Sequence, residues 1–303
     1  MSSLPSLKQL QYLVALSEQL SFTRAANACF VTQSTLSAGL KELEGILGSR
    51  LVERDRQTVL MTPLGLEVVQ RAHAILAATR DMVDFVAADD SVSGLLRLGV
   101  IPTIAPFLLP RTLSLLRERY PCLRLALRED LSENLLTRLE RGQLDFALIA
   151  LPYDTGKFMT KELFDDPLWI IGKKNDPLFS KKTVKLAPEV ANRLLLLEEG
   201  HCLRDHTLFA CGKREQAGGS QIEATSLLTL VEMVNSGFGL GLVPEMAVKN
   251  GLITEAERIV VRPVAPPYPL RKIAIAARRS MPRLAEMDAL ADTIQWAHRA
   301  PLT

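Results

Sequence analysis

Cys202 lies in the run Glu198-Glu199-Gly200-His201-Cys202-Leu203-Arg204-Asp205, and Cys211 follows nine positions later. A thiolate that attacks a peroxide becomes a sulfenic acid, which a second thiol converts to a disulfide. His201 and Arg204 are placed to favour the thiolate electrostatically, and Gly200 permits unusual backbone beside it. Asp205 opposes ionisation but can orient a base or a peroxide oxygen. On one continuous helix, nine residues turn through two and a half turns and rise roughly 13 Å, so the two thiols face opposite sides. A disulfide needs Cα atoms within about 7 Å. If helix separates these cysteines, closing the bond requires the segment to be rebuilt, which is a two-state element biased by redox chemistry.

Two other readings fit the same residues. Both cysteines can be small core side chains, as free cysteines often are. Alternatively His201, Cys202, His206 and Cys211 offer ligands suited to zinc, although they lack the close pairs of a structural site. Cys29 and Cys122 have no partner at useful spacing and are read as structural.

The elements that must position these thiols follow a helical block and then an alternating one. Apolar residues at Leu7, Leu10 and Val14 predict a helix over 7–19. Ser21 caps a second helix through Phe22, Arg24, Ala25 and Ala26. After a turn at Cys29-Phe30-Val31, Thr32 caps a third, with Leu36, Leu40, Leu43 and Leu47 along one face and Gly48 ending it. This order makes a helix-turn-helix, and Leu51 to Met61 suit a small hairpin. Thr62-Pro63 starts a long helix in which Gly65, Val68, Ala72, Ile75, Thr79, Met82 and Val86 advance by threes and fours. That period predicts a dimerisation helix; the competing reading packs it on its own domain.

Asp89 to Gly94 is polar and small, a hinge by composition. Beyond it, strands are expected at 95–101, 124–129, 145–150, 168–172, 194–197, 240–244 and 273–277. Helical patterns separate them at 104–120, 132–142, 226–236 and 283–299. Such alternation argues for mostly parallel sheets of α/β type. The expected domains are 1–62, 63–90 and 91–303.

Composition sets outer limits. The 303 residues are 48% hydrophobic and 23% charged, an ordinary globular balance that fits more than one domain. Apolar runs such as Leu194 to Leu197 are far too short to cross a bilayer, and the amino terminus lacks the basic-then-apolar pattern of an export signal. Four cysteines are too sparse for a disulfide scaffold, and a cytoplasmic setting is expected. No nucleotide loop, serine–histidine triad or paired-carboxylate motif supports catalysis, so the chain is read as not an enzyme and without a cofactor. A net charge of +2 says nothing for nucleic acid. Local placement does: the recognition position of a helix-turn-helix holds Thr32, Gln33, Ser34, Thr35 and Ser37, with Lys41 one turn on. Gln33 can pair with an adenine edge, and the hydroxyls suit bases or phosphates. Arg24 and Arg54 can reach phosphates from flanking elements. The same residues also fit a small helical interaction domain with a polar cap.

The runs Leu10 to Leu16, Ser21 to Ala26, Val31 to Ser37, Leu43-Glu44 and Leu51 to Arg54 resemble the DNA-binding domain of LysR-type transcriptional regulators. The order that follows also resembles that family. It implies an all-α winged helix-turn-helix domain and linker helix joined to an α/β effector domain. The effector would have two periplasmic-binding-protein-like lobes, about 94–165 with 268–303, and about 166–267. Within the family, Gly200 to Asp205, Cys211, Ala224 to Leu227 and Gly99 to Pro106 resemble the hydrogen-peroxide-sensing members. That resemblance implies Cys202 as the peroxidatic thiol, Cys211 as the resolving thiol, and a pocket of Thr103, Ser132, His201, Asp205 and Arg271. Ser132 stands where many relatives carry threonine, which keeps the hydroxyl. Partners implied are promoter DNA, hydrogen peroxide, further copies of the chain in a tetramer assembled from dimers, and RNA polymerase. Competing readings are a family member that binds a metabolite between the lobes, with incidental cysteines, and a thiol peroxidase fused to a DNA-binding domain.

Overall fold

The computed structural model describes residues 4–54, 59–87, 92–212, 223–253 and 258–300. The chain divides into two compact units, one formed mainly by residues 1–88 and the other by 89–139 and 144–303.

In the first unit, local capping sets the helices. Ser6 and Gln9 form a reciprocal capping box at the start of α1 (Leu7–Gln19). Ser21 caps α2 (Phe22–Ala28), and Thr32 caps α3 (Gln33–Leu47), which Gly48 ends in the left-handed region. The hairpin is β1 (Val52–Arg54) against β2 (Val59–Met61). The turn between its strands, with Asp55 and Arg56, lies outside the described residues. Leu13, Leu16, Leu36, Leu40, Leu43 and Leu51 are buried together, while Leu47, expected on that face, is 40% exposed.

The long helix α4 (Pro63–Ala87) divides its apolar residues between two uses. Val69, Ala72 and Leu76 pack into the core of the unit. Ile75, Met82 and Val86 of the expected seam are exposed. The competing readings therefore each hold for part of the helix: its start packs at home, and its later seam faces outward. Gly65 is a site of close approach, because an added Cβ would lie 2.1 Å from the Leu51 carbonyl oxygen.

The second unit runs β3 (Gly94–Val100), α5 (Ala105–Arg119), β4 (Leu123–Glu129), α6 (Ser132–Glu140), β5 (Phe146–Leu151) and β6 (Met159–Lys173). A 3₁₀ turn (Pro177–Ser180) and the short α7 (Pro188–Ala191) lead to α8 (Cys202–Ala210) and α9 (Leu227–Ser236). Then come β7 (Gly241–Pro244), α10 (Glu245–Lys249), β8 (Ile259–Pro263), β9 (Leu270–Ala277) and α11 (Leu284–Arg299). The sheet order is β4-β3-β5-β9-β6-β7, with β8 also paired to β6.

The sheet is mixed, which corrects the expectation of mostly parallel pairing. Among the described strands only β3 pairs in parallel, with β4 and β5, apart from isolated parallel bridges. The β5–β9, β6–β9, β6–β7 and β6–β8 ladders are antiparallel. The cause is the long strand β6, which leaves one lobe for the other while β9 returns beside it in the opposite sense. Leu194 to Leu197 joins the sheet only through isolated bridges, Leu194 to Leu240 and Leu197 to Ala224, and is not a strand. Two apolar clusters result. The larger takes Leu96, Phe146, Ile273 and Ile294 together with Leu195, Leu197, Cys202 and Leu203. The smaller holds Ile170, Phe179, Val184, Leu194, Leu240 and Val264, with Cys211 packed against it.

Because the atom that an added methyl at Gly65 would meet belongs to backbone, Gly65→Ala is expected to destabilise the first unit by about 1–3 kcal/mol. Hydrogen exchange of α1 and α3 amides should accelerate accordingly, with α9 and α11 unchanged as internal controls.

Candidate functional site

Cys202 occupies the first position of α8, and Cys211 is the residue that ends it. The helix that the sequence reading posed only as a condition is present, and nine residues of it carry the backbone roughly 13 Å along the axis between the two cysteines. They also belong to different apolar clusters, Cys202 to the larger and Cys211 to the smaller.

Around Cys202, two loops from one lobe meet the start of α8. Ile101, Pro102, Thr103, Leu131 and Ser132 face Gly200, His201 and Cys202 across a narrow slot with essentially 0 Å³ open to a water-sized sphere. Gly200 has φ +91, and a Cβ there would lie 2.9 Å from Leu131, so glycine is required for both reasons. Thr103 and Ser132 are buried. The Thr103 hydroxyl oxygen accepts from Arg271 Nη1 at 2.8 Å, which leaves its own proton to be donated elsewhere. Ser132 Oγ has no nitrogen or oxygen partner among the described residues.

Arg271 is fully buried behind this slot. It donates Nε to Asp166 Oδ2 at 2.9 Å and Nη2 to the Thr103 carbonyl at 3.2 Å, and Nη2 lies 2.8 Å from Asp166 Oδ2. Asp166, equally buried, also accepts the Met246 amide at the start of α10 at 2.9 Å. The pair links β6 to β9 and fixes the loop that carries Thr103.

Burial pushes the Cys202 thiol above its ordinary value. The Arg271 charge, the Ser132 hydroxyl and the Leu203 amide pull it back down, while Asp205 raises it. His201 is pushed down by burial, so it is a neutral imidazole at neutral pH. The expectation that His201 and Arg204 favour the thiolate is thus corrected. His201 carries no charge there, and Arg204 is held by Glu223 Oε1 at 2.6 Å and the Leu197 carbonyl at 2.8 Å. The acting cation is Arg271, remote in sequence.

Of the expected pocket, Thr103, Ser132 and His201 line the slot with Cys202. Arg271 stands one layer behind. Asp205 is exposed on α8 and reaches the sulfur only through its charge. Asp166 was missed by sequence reasoning; its signal is a buried acid within a strand, in Asp165-Asp166-Pro167. The four side chains weighed for zinc do not assemble: among the described residues no group of three or more is placed to hold a metal ion. Cys29 packs half-buried on the first core, whereas Cys122 is exposed, so the structural reading fits only the former by packing.

On α3, Gln33, Ser34, Thr35 and Lys41 are exposed and Ser37 is half-buried, opposite the buried Leu36, Leu40 and Leu43. Thr32 spends its hydroxyl on the cap, with Ser34 and Thr35 hydroxyls at 2.9 and 2.7 Å. Thr23 donates to Gln33 Oε1 at 3.0 Å, fixing that side chain outward. Arg24 donates to the Gln19 carbonyl at 2.6 Å. The side chain of Arg54 lies outside the described residues.

A family model for a bacterial regulatory helix-turn-helix protein of the lysR family matches residues 7–66, and one for the LysR substrate binding domain matches residues 89–298. The chain belongs to the LysR family. Among LysR regulators it is 43% identical to the HTH-type transcriptional regulator EstR of Acinetobacter baylyi, over 97% of this chain and 98% of that one. It is 34% identical to the dual regulator OxyR of Escherichia coli, over 96% of this chain and 95% of that one. Among solved structures it is similar to a cysteine-to-aspartate variant of full-length OxyR from Pseudomonas aeruginosa, with TM-score 0.78 and 35% identity over 96% and 98% of the two chains. A Corynebacterium glutamicum OxyR mutant bound to hydrogen peroxide matches with TM-score 0.65 and 30% identity over 98% and 94%. No helix among the described residues is long and apolar enough to cross a membrane.

The buried ion pair and the thiol can be tested together. Arg271→Met should raise the apparent pKa of Cys202 further, seen as an upward shift in the pH profile of its alkylation, because the one cation acting on the sulfur is removed. Asp166→Ala leaves a buried unpaired charge and should cost about 3–5 kcal/mol in chemical denaturation; a loss below 1 kcal/mol would sink the assigned role of the pair.

Proposed function

We propose that this chain is a peroxide-sensing transcription regulator, switched by a reversible Cys202–Cys211 disulfide. One observation carries the reading: Cys202 sits in a slot shaped by hydroxyls and an imidazole, while Cys211 lies at the far end of α8 on another core. The likeness to OxyR along nearly the whole chain supports it.

The chemistry balances without a cofactor. The Cys202 sulfur attacks one oxygen of hydrogen peroxide, the O–O bond breaks, and sulfenic acid and water form. The Cys211 sulfur then displaces that hydroxyl, giving a disulfide and a second water. Thr103 and Ser132 offer a donor each to the peroxide oxygens, and neutral His201 takes or returns a proton. Arg271 stabilises the sulfur as it ionises, and Asp205 tunes it through space. A slot this tight has no room for a metabolite, whose sites usually run to several hundred Å³.

Closing the bond rebuilds α8, and the change passes to the subunit arrangement. In this reading the chain works in the cytoplasm as a tetramer of paired dimers, joined through the exposed later seam of α4. Gln33, Ser34, Thr35 and Ser37 read promoter bases or phosphates, and Arg24, Thr32, Lys41 and Arg54 hold the backbone. The shifted spacing alters promoter occupancy or RNA polymerase recruitment. A second reading, a metabolite-responsive regulator with incidental cysteines, draws on the 43% identity to EstR.

The two separate cleanly. Cys202→Ser should abolish any peroxide-dependent change in promoter binding; an unaltered response rules the sensor out and leaves the metabolite reading. Cys211→Ser should hold Cys202 as sulfenic acid, trapped by a dimedone-type probe within one equivalent of peroxide. For DNA, Gln33→Ala should weaken binding to the specific site by about 1–3 kcal/mol and leave non-specific binding nearly unchanged. Equal losses on both DNAs in a titration mean that Gln33 reads no base.

A further inference from the structure

Positive charge is concentrated on one edge of the sheet formed by β7, β6 and β8. Residues 173–193 carry six basic side chains against two acidic ones. The whole chain is only +2, so its remainder is net negative. Charge clustered on one face in this way creates a local field that attracts an oppositely charged partner.

Backbone pairing gathers the cations. β8 lies beside β6 from Trp169 to Lys173. At the start of β8 the Lys174 amide donates to the Arg258 carbonyl at 3.1 Å. At its far end the Val184 amide donates to the Pro263 carbonyl at 3.1 Å, and the Ala265 amide to the Val184 carbonyl at 2.8 Å. The segment 181–185 is thereby laid against this edge, and Arg262 Nε donates to the Lys181 carbonyl at 3.2 Å. The order along the edge is Lys174 with Arg258, then Arg262 with Lys181, Lys182 and Lys185. Four strand residues separate Arg258 from Arg262, roughly 13 Å.

Lys174, Lys181, Lys182, Lys185 and Arg258 are exposed and Arg262 is half-buried. Among the described residues no carboxylate pairs with any of the six. Of the acids in this stretch, Asp176 is held by Arg193 and Glu189 is exposed on α7. Glu255 and Glu257, which precede Arg258, lie outside the described residues. Lys173 does not join the strip, because its Nζ lies against Gly237 at the end of α9.

The chemistry of the strip selects its partner. Donors strung along an edge suit a polyanion better than a single phosphate. Protein interfaces are depleted in lysine and enriched in aromatic residues, whereas four of these six side chains are lysine and none is aromatic. Lysine and arginine are the side chains that neutralise DNA phosphates, which follow one another every 3.4 Å of axis on each strand, so about four fit within 13 Å. The helix-turn-helix unit also tethers the strip to a chain that binds DNA, which raises the local concentration of that polyanion. We propose that this edge is a second, sequence-independent contact with DNA, gripping the phosphate backbone of the duplex. It stands on the family's DNA binding and not on the peroxide reading.

The test uses the full-length protein and a long duplex of random sequence. Lys181→Gln, Lys182→Gln and Lys185→Gln combined should reduce the slope of log K against log salt by about 2–3 per bound chain. Lys161→Gln, Lys249→Gln and Lys272→Gln combined remove the same charge from cations that already face Asp288, Glu245 and Glu162, and should leave the slope nearly unchanged. Acetic anhydride labelling of the unmodified protein should show Lys181, Lys182 and Lys185 protected several-fold by the duplex, with Lys161, Lys249 and Lys272 unprotected. Equal slopes for both variants, absent protection, or no binding of the duplex overturns the proposal. Lost transcription with an unchanged slope also overturns it, and assigns the edge to an acidic protein instead.

Discussion

A helix fixes the distance between its ends, and α8 uses that fact to keep two thiols apart. Nine residues carry the chain through two and a half turns, so Cys202 and Cys211 point to opposite sides, well beyond disulfide reach. Each is also seated on its own apolar cluster. A bond between them is incompatible with both the helix and at least one of those seats. The two ends of α8 are unequal. Cys202, Leu203, His206 and Thr207 are buried, whereas Phe209 is 82% exposed and Ala210 and Cys211 are half-buried. Local opening is easiest where the least apolar surface is held. In the proposed switch the carboxyl-terminal turns are therefore the ones that would yield and bring Cys211 towards Cys202.

Behind the Cys202 sulfur lies a buried pair of charges. Arg271 and Asp166 neutralise each other where solvent cannot, and the guanidinium spends its other donors on Thr103. The arrangement ties the strands that run between the lobes to the loop that shapes the slot. It also suits a thiol that must be selective. Burial keeps Cys202 protonated at rest, so a reagent that merely seeks exposed thiolate finds little. A reactant small enough to enter meets hydroxyl donors for its oxygens and a cation for the developing thiolate. In the proposed sensor, selectivity would come from access and from stabilisation during reaction, with no need for an ionised resting state.

The sequence revealed what short-range chemistry decides. Ser6, Ser21 and Thr32 announce helix starts and Gly48 an end, because caps act within three residues. The slot loop and the two cysteines were legible through a family resemblance in contiguous runs, whereas the helix between the cysteines entered only as a condition. What depends on distant strands was hidden. The first half of β6, Met159 to Pro167, is rich in charge and reads poorly as a strand, yet it pairs with β9 along its length. β8 escaped for want of a clear pattern, and antiparallel pairing follows from chain reversals that periodicity does not record. At the site, sequence proximity misled: His201 and Arg204 adjoin Cys202, but the effective cation comes from Arg271, whose partner Asp166 lies 105 positions away.

Overall identity is a poor guide to what such a protein senses. The 43% shared with EstR and the 34% shared with OxyR each average over some 290 positions. In physical terms, the peroxide reading places the effector at Cys202, and the metabolite reading places it between the lobes. The slot at Cys202 leaves essentially no open volume, and the nearby cavity at His206 has about 290 Å³ and mostly apolar walls.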